Sequence, residues 1–174
     1  DGEWDQGGLL QGQGFANVGN QTYIYYGAWD PRVTDKSTPR GGVGIAVLPR
    51  DRFGSLSVDE TRKGPGTYQV PELIAELMTG KIKRPSEETA QFFLNAEGLG
   101  PEAHLRVELL SRNMVPLPEY CGENAAVVKS SGFQVPVQWK GNPSANSIPE
   151  EFRIRARFEG ERKADIRLNA IYVR

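Results

Sequence analysis

The chain has 174 residues, 38% of them hydrophobic, and its 21 basic and 22 acidic side chains give a formal net charge of −1. A chain of this length can bury a substantial core, whereas its balanced charge gives no general attraction to nucleic acid or to an anionic membrane surface. No apolar run approaches the roughly 20 residues of a membrane-spanning helix. The sequence predicts a folded chain with neither nucleic acid nor a membrane as partner. Its strand and turn patterns predict an all-β fold.

Residues 1–58 are predicted to form a four-stranded meander, the unit of a β-propeller blade. Gly19-Asn20 is a hairpin turn signal between the first two strands. A single blade leaves both of its faces unburied and needs neighbours on each side, so we expect further protein before Asp1. The predicted strands are Leu9–Val18, Gln21–Trp29, Gly42–Leu48 and Phe53–Val58.

Residues 59–88 are predicted to form a connector that is rich in charge, proline and glycine. Within it, Val70–Met78 fits two structures. Proline at the first turn and apolar residues at helical spacing favour a short helix, whereas the same residues could also form a strand. Both alternatives remain open from the sequence.

Residues 89–174 are predicted to form an antiparallel β-sandwich, because several segments alternate apolar and polar side chains between turn-rich links. In three of these segments the alternation predicts which side chains point into the core. These are Phe133, Val135, Val137 and Trp139 in one strand; Phe152, Ile154, Ala156 and Phe158 in the next; and Ile166, Leu168, Ala170 and Tyr172 in the last. The other predicted strands are Gln91–Ala96 and His104–Leu110, and Arg153, Arg155 and Arg157 are expected to form a solvated outer stripe.

The order of these motifs resembles the C-terminal part of glycoside hydrolase-like proteins of families 32 and 43. The resemblance covers nearly the whole chain outside the connector around residues 62–88, and it is carried by Tyr23–Asp30, Gly44–Leu56, Phe93–Gly98, His104–Leu110 and Val137–Gly141. It implies the last blade of a five-bladed propeller followed by a β-sandwich. It also implies an extracellular or periplasmic protein that meets an oligo- or polysaccharide and packs against the remaining propeller blades, in the same or another chain.

Enzymes of this type cleave glycosidic bonds with two carboxyl groups, and in the family those carboxyls come from earlier blades. No position of this chain matches a family catalytic motif, so no catalytic residue is predicted. No phosphate-binding loop, Cys-x-x-Cys pair or His-Glu-x-x-His motif occurs, and the lone His104 lacks partners at metal-ligand spacing. The sequence therefore predicts neither a cofactor nor a metal site, and Cys121, the single cysteine, is predicted to be a structural thiol.

Two groups of residues are candidates for sugar contact. Gln11 and Gln13 alternate with glycine on the first predicted strand, which lies nearest the axis of a propeller; the alternative is that this glycine-rich strand only packs closely. Trp29, Asp30 and Arg32 follow the second strand, and an aromatic face with a carboxylate and a guanidinium is suited to sugars. The alternative there is a tryptophan packed under the loop beside a local Asp–Arg pair.

The leading hypothesis is that the chain completes a propeller and supports the substrate funnel of a glycoside hydrolase-like protein, without being catalytic by itself. Two alternatives belong to other classes. One is a non-catalytic carbohydrate-binding β-sandwich module. The other is a structural adaptor that docks to a separate propeller chain through its first unit.

Overall fold

The computed structural model describes residues 5, 7–10, 12, 14–35, 40–59, 74–85, 90–141 and 147–174. Throughout this described part the chain forms β-strands and short 3-10 turns, with no α-helix. The predicted all-β class is therefore confirmed. The chain divides into two compact units, Asp1–Phe53 and Gly54–Arg174.

The first unit is an antiparallel sheet built around one long central strand. That strand is β3 (Gln21–Trp29); β4 (Gly41–Pro49) pairs along one edge, while β1 (Leu9–Leu10) and β2 (Phe15–Val18) pair along the other. The β2–β3 hairpin turns at Gly19, whose φ of +56° is the left-handed conformation that glycine adopts without steric cost. The predicted hairpin turn is thus confirmed.

The first predicted strand is split in two, and the fourth predicted strand is wrong. At Gly12, between β1 and β2, the backbone passes so close to the carbonyl oxygen of Tyr25 in β3 that a Cβ atom there would overlap that oxygen. Phe53–Val58 forms no strand of this sheet. Instead Leu56 exchanges two backbone hydrogen bonds of 2.9 Å with Leu168 of the second unit, to which it belongs.

The second unit contains two antiparallel sheets. The smaller has the order β10-β7-β12, with β7 at Phe92–Glu97, β10 at Gly132–Pro136 and β12 at Arg167–Val173. The central strands of the larger sheet are β8 (His104–Ser111) and β11 (Glu151–Glu159), which pair with each other. On its other edge β11 pairs with two short strands, β5 (Glu76–Met78) and β6 (Ile82–Lys83). On its other edge β8 pairs with β9 (Ala126–Val128). Since Glu76–Met78 is a strand, the helix alternative is wrong there; residues 70–73 lie outside the described part.

The core of the second unit follows the predicted alternation of β11 and β8. Phe152 and Ile154 are fully buried, and Ile154 lies opposite the equally buried Leu109 in the β11–β8 register. The ring of Phe92 in β7 meets that of Phe152 at 5.7 Å, which joins the two sheets. Each such side chain contributes about 1.5–3 kcal/mol of burial free energy. The inward face predicted for Phe152–Phe158 is confirmed.

A bulge in β12 overturns part of the predicted face of the last strand. Ile166 and Leu168 are buried as expected, but the pairing with β7 shifts between Leu168 and Ala170. One extra residue in a strand moves every later side chain to the opposite face. Ile171 and Val173 consequently pack against the core in place of Ala170 and Tyr172.

The predicted face of Phe133–Lys140 is also only partly right. The pairing of β10 with β7 shifts between Gly132 and Val135, where Gln134 has a φ of +56°. Val135, Val137 and Trp139 pack with the core, whereas Phe133 lies against Tyr172, with ring centroids 6.0 Å apart. The strand ends at Pro136, so Trp139 belongs to the segment after it.

Candidate functional site

The sheet of the first unit carries a continuous apolar face. Residues that pair directly across antiparallel strands lie on the same side of a sheet, and alternate residues along a strand share that side. The registers β3–β4, β2–β3 and β1–β3 therefore put one set of large apolar side chains together. We call this set the apolar face: Leu10, Val18, Tyr25, Trp29, Val43, Ile45 and Val47.

Every member of the apolar face is exposed. The exposed fraction reaches 78% at Val43 and is 53% at Ile45, in the middle of the edge strand β4. Scattered apolar side chains are normal on protein surfaces, but a contiguous patch marks an interaction site. The apolar face is therefore the strongest candidate for an interaction surface in the described part of the chain.

The opposite side of the same sheet is partly closed by the chain itself. Thr22 is fully buried there; its hydroxyl donates to Asn17 Oδ1 at 2.6 Å and accepts the Asp51 N–H at 3.2 Å. Phe53 packs edge-on against Phe15, with centroids 5.1 Å apart. The two sides of the sheet thus differ, because residues 51–53 return over one of them; on that side Leu9, Phe15 and Phe53 remain more than half exposed.

Three predicted site residues meet at the end of β3. Asp30 accepts three hydrogen bonds from Arg32: the backbone N–H and Nε at 2.9 Å, and Nη2 at 2.8 Å. Trp29, next to this pair, is 46% exposed. The guanidinium carbon of Arg40 lies 5.1 Å from its ring centroid, a cation–π distance. The local Asp–Arg pair and an exposed aromatic ring therefore occur together.

The charge state of Asp30 limits what this cluster can do. Side-chain hydrogen bonds from Arg32, followed by its backbone N–H, lower the pKa of Asp30 to about 2. A carboxylate with such a pKa stays ionised near neutral pH and cannot act as a general acid there. The cluster can accept hydrogen bonds from hydroxyl groups and can stack against a sugar ring; those contacts remain a prediction.

Gln11 and Gln13, the other predicted sugar contacts, lie outside the described residues. The glycine between them, Gly12, is explained by its close approach to the Tyr25 carbonyl within the same sheet. Hydrolysis of a glycosidic bond uses two carboxyl groups, a general acid and a base or nucleophile, one on each side of the bond. We assign no catalytic residue.

The outer side of the larger sandwich sheet holds a charged cluster that sequence patterns did not single out. Glu108 is 2% exposed and lies opposite Arg155, whose Nη2 is 2.7 Å from Glu108 Oε2. The N–H of Gly122 donates to its other oxygen at 3.0 Å. Burial raises the pKa of Glu108, but the hydrogen bonds from Gly122 and Arg155 outweigh it, so the net pKa is lowered.

The predicted solvated stripe is accordingly wrong in part, because Arg153, Arg155 and Arg157 are half-buried and bonded. Arg153 donates to the carbonyls of Arg112 and Thr79, and Arg157 pairs with Glu76 at 3.1 Å. These contacts tie strands β5, β8 and β11 together. The stripe is therefore a structural network of ion pairs and of hydrogen bonds to backbone carbonyls.

Cys121 and His104 flank this network. The Cys121 thiol donates to the Leu109 carbonyl at 3.0 Å, and its pKa is raised, chiefly by burial and also by the charge of Glu108. His104 Nε2 lies 3.4 Å from Glu159, which also accepts from Arg106. Within the described residues no group of three His, Cys, Asp or Glu side chains could hold a metal ion.

Comparison with known proteins does not assign the chain to a family. No family model matches it, and neither does any curated protein or solved structure. In the described part of the chain, no helix is long and apolar enough to cross a membrane.

Proposed function

We propose that this chain is a non-catalytic support module of a glycoside hydrolase-like protein, located outside the cell or in the periplasm. Its first unit packs through the apolar face against further β-structure, which completes a propeller that acts on an oligo- or polysaccharide. Its second unit is the stable β-sandwich attached to that propeller. The single observation that carries the docking role is the continuous apolar face of the first sheet.

The shape and chemistry of the apolar face favour another sheet as its occupant. Sheets pack face to face at about 10 Å through interdigitating side chains, and the β-branched Val43, Ile45 and Val47 of β4 alternate with residues of the other side. In addition, β4 has no strand partner on its outer edge within the described residues. Open edges are normally paired or covered in stable proteins.

The proposal that the chain is not catalytic by itself rests on two observations. Asp30, the carboxylate beside the exposed Trp29, has a pKa of about 2 and is held by Arg32. Glu108, the most buried carboxylate among the described residues, is engaged by Arg155 and Gly122. Neither group is set up to give a proton to a leaving group near neutral pH.

A sedimentation experiment on the purified chain tests the docking role. We expect concentration-dependent self-association, because an apolar face without its partner sheet pairs with copies of itself. Ile45→Asp should abolish this association. Ala46→Asp is the matched control, since Ala46 is exposed on β4 but points to the opposite side.

Two results would contradict the proposal. One is a strictly monomeric chain whose solubility is unchanged by Ile45→Asp, which would mean that the apolar face has no tendency to be covered. The other is hydrolysis of glycans by the purified chain, which would contradict the non-catalytic role. If association is seen only with a separately expressed propeller chain, the module is an adaptor between two polypeptides.

A further inference from the structure

The sandwich contains an open cleft beside the start of β7 and the segment that follows β10. Its volume is about 320 Å³, which lies at the lower end of the range for small-molecule sites and suits a single sugar ring. Four aromatic residues and two glutamines are among its lining residues, and two of the aromatic residues, Phe92 and Tyr120, are almost fully buried. The residues that matter here are Gln91, Phe92, Tyr120, Gln138 and Trp139.

Trp139 is held in one orientation at this cleft. Its Nε1–H donates to the Val107 carbonyl at 3.2 Å. Its ring also meets those of Phe92 and Tyr120 edge-on, with centroids 4.9 Å and 5.4 Å away. An aromatic surface that is fixed before a ligand arrives loses little side-chain entropy on binding.

The polar groups of the cleft are neutral, and two of them are free to bind. The backbone of Gln91 is paired with Arg174 in both directions, whereas the side-chain amides of Gln91 and Gln138 have no hydrogen-bond partner among the described residues. Both residues are exposed. The Tyr120 hydroxyl bonds to Ser147 at 2.6 Å, and burial raises its pKa, so it stays uncharged at neutral pH.

The lining decides which class of ligand fits. No charged side chain lines the cleft in the part of the chain that the structure describes, so a charged ligand would lose its hydration without a partner. A purely apolar ligand would leave the amides of Gln91 and Gln138 without compensation. A ligand with C–H faces and hydroxyl groups satisfies both the aromatic rings and the amides.

We infer that this cleft of the sandwich binds a single neutral sugar ring, stacked near Trp139 and held by Gln91 and Gln138. The site does not involve the apolar face or the cluster at Trp29. The choice of a sugar over another neutral polyhydroxy compound rests on the proposed glycan-related function. The preference for a neutral ligand with hydroxyl groups rests only on the lining of the cleft.

Nuclear magnetic resonance of the full chain tests this site through the indole N–H signal of Trp139. That signal is assigned by elimination, with the variants Trp4→Phe and Trp29→Phe. The probes are glucose, galactose, xylose, arabinose and fructose, compared with glucuronate and benzyl alcohol. We expect at least one neutral sugar to shift the signal saturably at millimolar concentration. Gln91→Ala and Gln138→Ala should each weaken binding about tenfold, the loss of one or two hydrogen bonds, whereas the exposed control Gln21→Ala should not.

The inference is overturned if no neutral sugar gives a saturable shift, if glucuronate or benzyl alcohol binds more tightly than every sugar, or if the glutamine variants bind as well as the parent chain. Its failure is distinguishable from failure of the docking role. Sugar binding by a chain that never self-associates would contradict only the docking role. Self-association of a chain that binds no sugar would contradict only the cleft.

Discussion

Glu108 and Arg155 lie directly opposite each other on β8 and β11, with 2.7 Å between Arg155 Nη2 and Glu108 Oε2. The Glu108 side chain is 3% exposed and that of Arg155 is 16% exposed, so the pair is largely removed from water. Arg157 adds a second guanidinium at 3.9 Å from the same oxygen. The central strands of the larger sheet are therefore joined on their outer side by buried charge.

Replacing Glu108 should destabilise the sandwich strongly. In Glu108→Gln, the guanidinium of Arg155 and the N–H of Gly122 lose the carboxylate that satisfies them. Breaking a buried pair from one side costs about 3–5 kcal/mol, which chemical denaturation can measure. The matched control is Glu76→Gln, which removes the more exposed partner of Arg157 and should cost less than about 1 kcal/mol. Equal losses of unfolding free energy in the two variants would contradict this prediction, because they would show that burial does not determine what each ion pair contributes.

The carboxylate of Glu108 should make the free energy of unfolding depend on pH in the acidic range. The folded pKa of Glu108 lies below its usual 4.5, so its contribution is complete above that value and is lost as pH falls through the folded pKa. The stability difference between the parent chain and Glu108→Gln should therefore shrink as the pH is lowered from neutrality to below 4.5. Urea titrations at a series of pH values measure it. A stability difference between the two chains that stays constant down to the lowest pH of the series would contradict the lowered pKa.

Cys121 should react slowly with thiol reagents. Burial, followed by the nearby charge of Glu108, raises the pKa of its thiol above the usual 9.0, so little thiolate is present near neutral pH. We expect alkylation by iodoacetamide to be slower than that of free cysteine under the same conditions and to accelerate after unfolding in urea. A folded-state rate equal to that of free cysteine would show an accessible thiolate and would favour a chemical role for this residue.

The cluster at the end of β3 gives a separate prediction for sugar contact. Trp29→Ala should weaken oligosaccharide binding by the purified chain, kept dilute enough to stay monomeric so that the apolar face is uncovered, because it removes an exposed ring that Arg40 supports. Loss of stacking on one aromatic residue corresponds to about tenfold in affinity. Tyr25→Ala is a suitable control, since Tyr25 is also exposed on the apolar face but lies four residues earlier on β3. Calorimetric titration of both variants would detect the difference, and equal affinities would remove Trp29 from the site.

Regular alternation was enough to predict the sandwich core but not its irregularities. Phe152–Phe158 alternates without interruption, so the buried side of β11 could be predicted from the residue pattern alone. The bulge between Leu168 and Ala170 breaks that rule, because it depends on pairing with β7 and leaves no mark in the apolar pattern. The inward face predicted for Ala170 and Tyr172 failed for this reason.

The interaction surfaces were less predictable, because they depend on registers between segments distant in the sequence. The apolar face arises only when β1, β2 and β4 align with β3. Glu108 looked like an ordinary polar residue of an alternating strand; its role depends on Arg155, 47 positions later in the chain. In contrast, Asp30 and Arg32 are two residues apart, so their pairing could be anticipated locally.

The most direct test of the central claim is hydroxyl-radical footprinting of Tyr25 and Trp29, two oxidisable members of the apolar face. Labelling would be compared between the purified chain and the protein isolated from its natural source, with the buried Tyr120 as a reference. We expect heavy labelling of Tyr25 and Trp29 in the purified chain, kept dilute enough to stay monomeric, and protection of both in the protein from its natural source. Equal labelling in the two samples would show that nothing covers the apolar face and would contradict the proposed docking role.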